Sequence, residues 1–156
     1  MATAYDASAQ YEIKSWDVEY RRNPVRTLMA RIYQPQGDGP FPVLLDVHGG
    51  AWNDQDRTAN ALVDQQLAAS GVLVVAIDLR LASEAPYPAS VADTNYGIRW
   101  LKSKAREWNG DPETLGVLGS SSGGHVVELI AMRPNDPRCN EFTLEEAPNL
   151  DATLNH

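Results

Sequence analysis

The stretch Gly119-Ser120-Ser121-Ser122-Gly123 decides how this chain folds. It follows the apolar run 115–118 and precedes the largely apolar segment 125–130, so it stands where a β-strand turns sharply into an α-helix. In a G-x-S-x-G turn of this kind the central serine takes a strained, left-handed backbone conformation and presents its hydroxyl beyond the edge of the sheet. Gly119 and Gly123 flank it because the strand and the helix approach so closely that a Cβ atom at either position would collide.

Upstream of this turn, strand patterns dominate the first half of the chain. Nearly continuous apolar runs at 41–47 and 72–77 predict strands that are covered on both faces, and 115–118 predicts a weaker one because Gly116 interrupts it. Partial alternation over 11–20 and 26–33, on either side of an Asn-Pro turn signal, predicts an antiparallel pair at the edge of the sheet.

Helical patterns lie between the later strands, over 58–70 and 90–107, and a third follows the serine turn. The resulting order predicts an α/β fold with a mostly parallel sheet and helices on both faces. In the first helix we expect Leu62, Val63 and Leu67 to form the buried face, and Gly71 to end the helix. The second helix carries apolar residues near helical spacing, which are Val91, Ile98, Leu101 and Ala105.

Two local interactions are also predicted from spacing. Ser90 and Asp93 have the spacing of a capping box at the start of the second helix. Asp78 and Arg80 are expected to form an ion pair that fixes the loop after the strand 72–77. Asp46 lies inside an apolar strand and therefore needs a hydrogen-bond partner if it is buried, but the sequence does not identify that partner.

The length of 156 residues suits one domain with a core of its own. We expect residues 1–10, which are small and polar, to form a flexible arm, and residues 133–156 to form an irregular tail broken by prolines. The chain stops at His156 without another apolar strand, so residues 1–156 look like a single but incomplete domain.

Composition excludes several classes of protein. Hydrophobic residues make up 43% and charged residues 22%, a balance typical of soluble globular proteins. The net charge of −8 argues against a nucleic-acid partner, because the phosphate backbone would be repelled. The single cysteine, Cys139, rules out an intrachain disulfide, and no ligand cluster or phosphate loop implies a metal or organic cofactor. With no signal peptide and no apolar run long enough for a membrane span, a cytoplasmic protein is expected.

A second motif, His48-Gly49-Gly50-Ala51-Trp52, comes directly after the strand 41–47. Two successive glycines leave their backbone N–H groups unshielded and able to point at a developing negative charge. Together with the N–H of Ser122, at the start of the helix after the serine turn, they would form an oxyanion hole.

These motifs resemble the α/β-hydrolase superfamily, and within it the hormone-sensitive-lipase-like group of esterases and lipases. The resemblance covers residues 11–132 and includes a third motif, Asp78-Leu79-Arg80-Leu81-Ala82-Ser83-Glu84. It implies hydrolysis of small-molecule esters, with Ser121 as the nucleophile and Gly49, Gly50 and Ser122 as oxyanion donors. His48 is expected to support the glycine loop, His125 to have a structural role, and Trp52 either to line an acyl pocket or to act as a half-buried anchor.

The histidine base and the acid of a catalytic triad are missing from the pattern. In this fold they follow the serine in the order acid, then histidine. The candidate acids and histidines after the serine do not follow apolar strands; they are Glu128, Asp136, Glu141, Glu145, Glu146, Asp151, His125 and His156. We therefore expect a fold truncated after the serine turn and its helix, without significant esterase turnover, and with an exposed strand edge that favours self-association. A non-catalytic small-molecule binder and an inactive remnant are the alternatives.

Overall fold

The fold alternates strands and helices in the predicted order. The computed structural model describes residues 6–154 of the chain. Its strands and helices are β1 (Ile13–Arg22), β2 (Thr27–Pro35), β3 (Val43–Val47), α1 (Ala61–Ala69), β4 (Leu73–Ile77), α2 (Ala89–Lys104), β5 (Gly116–Gly119) and α3 (Ser122–Met132). Two short 3₁₀ turns, Ala105–Trp108 and Pro112–Thr114, connect α2 to β5.

The five strands form one mixed sheet in the order β1-β2-β4-β3-β5. Strands β4, β3 and β5 are parallel, and the antiparallel pair β1–β2 joins them through β2 at one edge, as predicted. In the β3–β5 pairing Val47 lies opposite Gly119. Because parallel strands end at the same edge of a sheet, this register brings His48-Gly49-Gly50 next to Ser120 and Ser121.

Helices cover both faces of the sheet, as predicted. Val75 and Ile77 of β4 belong to the same buried cluster as residues of α2 and α3, whereas Val74 and Ala76 pack with Ala68 of α1. Alternate residues of a strand point to opposite faces, so α2 and α3 lie on one side of the sheet and α1 on the other. The four apolar positions predicted for α2 are all buried, namely Val91, Ile98, Leu101 and Ala105.

The predicted capping box at the start of α2 is wrong. The helix begins at Ala89, after Pro88, and no side chain caps its first turn. The carboxylate of Asp93 instead accepts a hydrogen bond from the backbone N–H of Arg80 at 2.8 Å and pairs with the side chains of Arg80 and Arg21. Asp93 is fully buried, so two guanidinium groups from distant segments compete successfully with a local cap.

The predicted ion pair between Asp78 and Arg80 is also wrong. Asp78 pairs with Arg57 at 3.1 Å and accepts hydrogen bonds from the backbone N–H groups of Arg57 and Met29. Arg80 binds Asp93 and, at 3.1 Å, Glu141. Each charge is neutralised by a residue far away in the sequence, which spacing along the chain does not reveal.

The tail after α3 is held by α2. Residues 133–154 contain no helix or strand, yet Cys139, Leu144 and Ala152 are buried in the main core. Three side chains on successive turns of α2 donate hydrogen bonds to backbone carbonyl oxygens of the tail: Asn95 to Pro134 at 3.0 Å, Arg99 to Phe142 at 2.8 Å and Lys102 to Asp151 at 2.9 Å. Half of the predicted arm, residues 1–5, and His156 lie outside the described residues.

The buried face of α1 differs from the prediction. Leu62 and Val63 are 77% and 49% exposed, and the residues that face the sheet are Asp64 and Ala68, with Leu67 partly buried. The helix is only nine residues long and packs against the face of the sheet that carries Tyr33, Val74 and Ala76, where the smaller of the two buried clusters lies. The apolar side chains of Leu62 and Val63 therefore point to the surface and not to the sheet.

Asp64 places a carboxyl group in this interface without a hydrogen-bond partner. Within the part of the chain that the structure describes, neither of its side-chain oxygens has a partner, and the residue is fully buried. Burial and, to a smaller extent, the nearby charge of Asp46 raise the pKa of Asp64 to about 7. The folded protein therefore holds a proton on Asp64 at pH values where the unfolded chain, with an ordinary aspartate pKa of 3.8, has released it.

We expect this carboxyl to make the protein less stable as the pH rises. The contribution of Asp64 is fully present below about pH 4 and is lost as the pH rises towards about 7, because the unfolded state ionises freely over that range. Asp64→Asn mimics the protonated form, so its unfolding free energy should fall less between about pH 5 and pH 8 than that of the unmutated protein. The difference between the two losses should exceed the ~0.5 kcal/mol that is typical of a surface substitution. Denaturant titrations at each pH measure the difference.

The exposed Asp38 provides a matched control. Asp38→Asn removes the same charge from the surface and should leave the pH dependence of the unfolding free energy as it is. Equal pH profiles for Asp64→Asn and the unmutated protein would contradict the assignment.

Candidate active site

The serine turn has the strained backbone that its sequence predicts. Ser121 has φ of 52° and ψ of −119°, directly before α3, and its side chain is exposed. A Cβ atom on Gly119 would lie 2.5 Å from the carbonyl oxygen of Gly123, and one on Gly123 would lie 2.1 Å from the carbonyl oxygen of Val47. Real Cβ atoms do not approach backbone this closely, so both glycines are required by contact between strand and helix.

The glycine loop after β3 packs directly on this turn. A Cβ atom on Gly49 would lie 2.9 Å from the carbonyl oxygen of Ser120 and 3.1 Å from Cβ of Ser121. The loop continues through Gly50, Ala51 and Trp52, which have φ of 108°, 51° and 61°. Within residues 6–154 the backbone N–H groups of Gly49, Gly50 and Ser122 have no acceptor, and the backbone of Gly49 lies against Ser120 and Ser121.

Trp52 fixes the far end of the glycine loop. Its backbone N–H donates to Oγ of Ser122 at 3.1 Å, and its carbonyl oxygen accepts from the N–H of Ala82 at 2.7 Å. Its indole N–H donates to Nδ1 of His125 at 3.3 Å, with the two rings edge to face. The side chain is 49% exposed, so Trp52 is half-buried and anchored at three points.

A pocket opens beside Trp52 and His125. It has a volume of about 400 Å³, within the usual range for small-molecule sites. Its walls are mostly apolar, and they include the segment after the third sequence motif; the lining residues are Ala51, Trp52, Ala82, Ala85, Tyr87, Val91, Arg80, Ser90 and His125. Trp52 thus acts as a half-buried anchor and lines a pocket, while the binding of an acyl group there stays a prediction.

Neither described histidine side chain forms a hydrogen bond with the Ser121 hydroxyl. His48 is buried, and its Nδ1 lies 2.6 Å from the carbonyl oxygen of Gly49, which agrees with a supporting role in the loop. His125 is exposed on α3, and its Nδ1 accepts from Trp52. In residues 6–154 Gly49 therefore lies against the predicted serine, and no histidine side chain is hydrogen-bonded to that serine, while the oxyanion role of Gly49, Gly50 and Ser122 stays a prediction.

The partner of the buried Asp46 is Asn60, a residue that the sequence does not single out. The Asn60 amide donates to both carboxylate oxygens of Asp46 and to Oγ of Ser120, each at 3.0 Å. Asp46 is almost completely buried, and burial raises the pKa of its carboxyl, while the hydrogen bond from Asn60 opposes this. The only sequence signal for this cluster is an aspartate inside an apolar strand.

Two further properties concern the described part of the chain. Across residues 6–154 the His, Cys, Asp and Glu side chains form no group of three that could hold a metal ion. No helix in the same range has the length and apolar character needed to cross a membrane.

An exposed serine on a strained strand–helix turn, beside free N–H groups of a neighbouring loop, is the arrangement that defines the α/β-hydrolases. The chain belongs to the BD-FAE family, whose model matches residues 31–155. This is a hormone-sensitive-lipase-like family of α/β-hydrolases, so the resemblance seen in the sequence is confirmed.

Similar proteins are esterases by name. The chain is 36% identical over 101 residues to the probable carboxylic ester hydrolase LipM of Mycobacterium tuberculosis, an overlap of 64% of this chain and 23% of that protein. It is 29% identical over 130 residues to the versiconal hemiacetal acetate esterase of Dothistroma septosporum, covering 81% of this chain and 40% of that protein.

A solved structure gives the same fold. The thermophilic esterase Est2 of Thermogutta terrifontis, with butyrate bound, superposes with a TM-score of 0.74 at 23% identity, over 93% of this chain and 51% of that chain. The present chain therefore spans less than half the length of the two curated relatives and about half of the solved enzyme.

We expect the backbone contact at Gly123 to be essential for stability. Gly123→Ala forces a methyl group into the carbonyl oxygens of Val47 and His48, so the unfolding free energy should fall by about 2 kcal/mol or more. Gly116→Ala is the matched control, because its Cβ would find only Leu44 at an ordinary 3.7 Å and should change stability by no more than about 0.5 kcal/mol. Denaturant unfolding of both variants checks this, and equal effects would contradict the close approach.

Proposed function

We propose that this protein is a serine hydrolase of small-molecule carboxylic esters with Ser121 as the residue that forms the acyl-enzyme, and that residues 6–154 alone do not supply the base needed for turnover. The observation that carries the proposal is the packing of the glycine loop at Gly49 on the exposed Ser121, with N–H groups of Gly49, Gly50 and Ser122 that have no acceptor in residues 6–154. Membership of the BD-FAE family and similarity to proteins named as carboxylic ester hydrolases support it.

In the proposed reaction, Oγ of Ser121 attacks the ester carbonyl carbon. The carbonyl oxygen becomes negatively charged and accepts hydrogen bonds from the three backbone N–H groups, each worth roughly 3 to 4 kcal/mol of barrier in comparable sites. The positive end of the α3 dipole at Ser122 favours the same charge. The tetrahedral intermediate expels the alcohol and leaves an acyl group on Ser121, which water then removes to release the acid.

A histidine base is needed for rapid turnover, because a serine hydroxyl of ordinary pKa is a weak nucleophile. Nδ1 of His48 lies within hydrogen-bond distance of the Gly49 carbonyl oxygen, and Nδ1 of His125 accepts from the Trp52 indole. Within residues 6–154 neither side chain forms a hydrogen bond with the Ser121 hydroxyl. We propose that residues 6–154 provide the nucleophile and the oxyanion hole without an activating base.

The pocket beside Trp52 is the proposed site for one substituent of the ester. Its volume of about 400 Å³ and its alanine, valine and aromatic walls suit a small apolar group. Arg80, Ser90 and His125 supply polar atoms at its margin.

The first test is covalent labelling of this chain with a fluorophosphonate, located by peptide mass spectrometry. Oxyanion holes retain about 10³-fold rate enhancement when the triad is incomplete, so Ser121 should be labelled about 10³ times faster than the exposed Ser83. Ser121→Ala should abolish the fast label, and Ser83→Ala should leave it unchanged. Labelling spread evenly over exposed serines would overturn the role of Ser121.

The second test is turnover of p-nitrophenyl acetate. Because no base contacts Ser121 within the described residues, we expect steady-state hydrolysis by this chain to remain within about twofold of Ser121→Ala. Efficient turnover that depends on Ser121 would contradict the missing base. If the ester binds to the pocket but Ser121 is never acylated, the non-catalytic binder is the better description.

A further inference from the structure

We propose that Asn60 is a positioning residue that holds the serine turn against the glycine loop, by joining Asp46 of β3 to Ser120. This inference rests on the proposed function of Ser121, because it assigns Asn60 to the placement of that nucleophile. The hydrogen bonds of the Asn60 side chain within residues 6–154 go to Asp46 and Ser120 and not to the Ser121 hydroxyl, so Asn60 acts through its neighbours.

The geometry uses both hydrogen atoms of the Asn60 amide. One side chain donates to the two carboxylate oxygens of Asp46 and to the hydroxyl oxygen of Ser120, all at 3.0 Å. Asp46 lies two residues before the glycine loop begins to turn, and Ser120 directly precedes the nucleophile. The amide therefore connects the two segments whose relative position defines the site.

The usual role of an asparagine at this place in the chain does not explain the side chain. Asn60 immediately precedes α1, where asparagine normally accepts a hydrogen bond from the first turn of the helix. No such bond exists in α1, because the Asn60 side chain turns towards Asp46 and Ser120 instead. Its contribution is therefore made at the bridge and not at the helix end.

Few other contacts hold the serine turn in place. Within the described residues β5 pairs with β3 alone, so the turn lies at the end of an edge strand. Its other links to β3 and the glycine loop are the hydrogen bond from the Ser120 N–H to the Val47 carbonyl at 3.1 Å, the bond from the Trp52 N–H to Ser122, and the close approaches of Gly49 and Gly123. A misplacement of 1 Å in such a site can reduce reaction rates by about a hundredfold, so the side-chain bridge through Asn60 is expected to affect the rate of reaction at Ser121.

The chemistry of the bridge allows a swap experiment. Asn60→Asp places a carboxylate against the buried carboxylate of Asp46, which breaks the bridge while keeping side-chain size. The double variant Asp46→Asn/Asn60→Asp reverses donor and acceptor and restores it, with Asn at 46 donating to Asp at 60 and the Ser120 hydroxyl donating to the same carboxylate. Asn140→Asp, at an exposed asparagine, is the control for added charge.

Two measurements on the whole chain test the proposal: the rate of fluorophosphonate labelling at Ser121, and amide hydrogen exchange of residues 48–52 and 119–124. Asn60→Asp should slow labelling about tenfold and accelerate exchange in both segments, the swap should recover labelling to within about threefold, and Asn140→Asp should change neither. A role limited to packing or helix stability would not be rescued by the swap.

Wild-type labelling and exchange in Asn60→Asp, or a folded swap variant that recovers neither, would overturn the proposal. If Asn60→Asp fails to fold, Ser120→Ala removes only the acceptor oxygen and must still slow labelling and loosen residues 119–124. If Ser121 is not labelled in the unmutated chain, the proposed function fails, and the exchange measurements alone decide whether Asn60 holds the turn.

Discussion

The contact between the start of α3 and the end of β3 is the constraint on which the rest of the site depends. At Gly123 the helix backbone lies so close to the Val47 carbonyl that no side chain fits between them. Because of this approach, the start of α3 lies beside the glycine loop, where the Ser122 hydroxyl oxygen accepts the Trp52 N–H. The positive φ of Ser121 follows from the same contact, since the chain has to reverse direction within one residue.

Around this contact, buried charges are held by groups from distant segments. Asp93 is shared between two arginines, Asp78 is held by Arg57, and Asp46 is held by Asn60. Each of these carboxylates joins a strand or helix to a loop near the carboxyl edge of the sheet. Asp64 lacks such a partner, and it is the one described aspartate whose pKa rises to about 7. Polar links of this kind fix loops that apolar packing alone would leave adjustable.

The fold and much of the site could be predicted from the sequence because their signals are local. Apolar runs, the Asn-Pro turn and the two glycine motifs each specify a backbone conformation within a few residues. The pairing of β3 with β5 then brings Gly49 to Ser121 without further information. The partners of Asp46, Asp78 and Asp93 could not be predicted, because ionic contacts depend on which distant segments the sheet order brings together. The buried face of α1 could not be predicted for a related reason. A helix of nine residues has few turns, so its apolar pattern alone does not determine which face packs against the sheet.

The way α2 holds the tail has a consequence for how each segment tolerates mutation. Asn95, Arg99 and Lys102 all donate to main-chain oxygens, which every amino acid in the tail possesses. Side chains at most tail positions can therefore be exchanged without loss of these bonds, while the three donors on α2 cannot. At these three bonds the tail therefore tolerates substitution better than the helix does, whereas the buried Cys139, Leu144 and Ala152 restrict other tail positions.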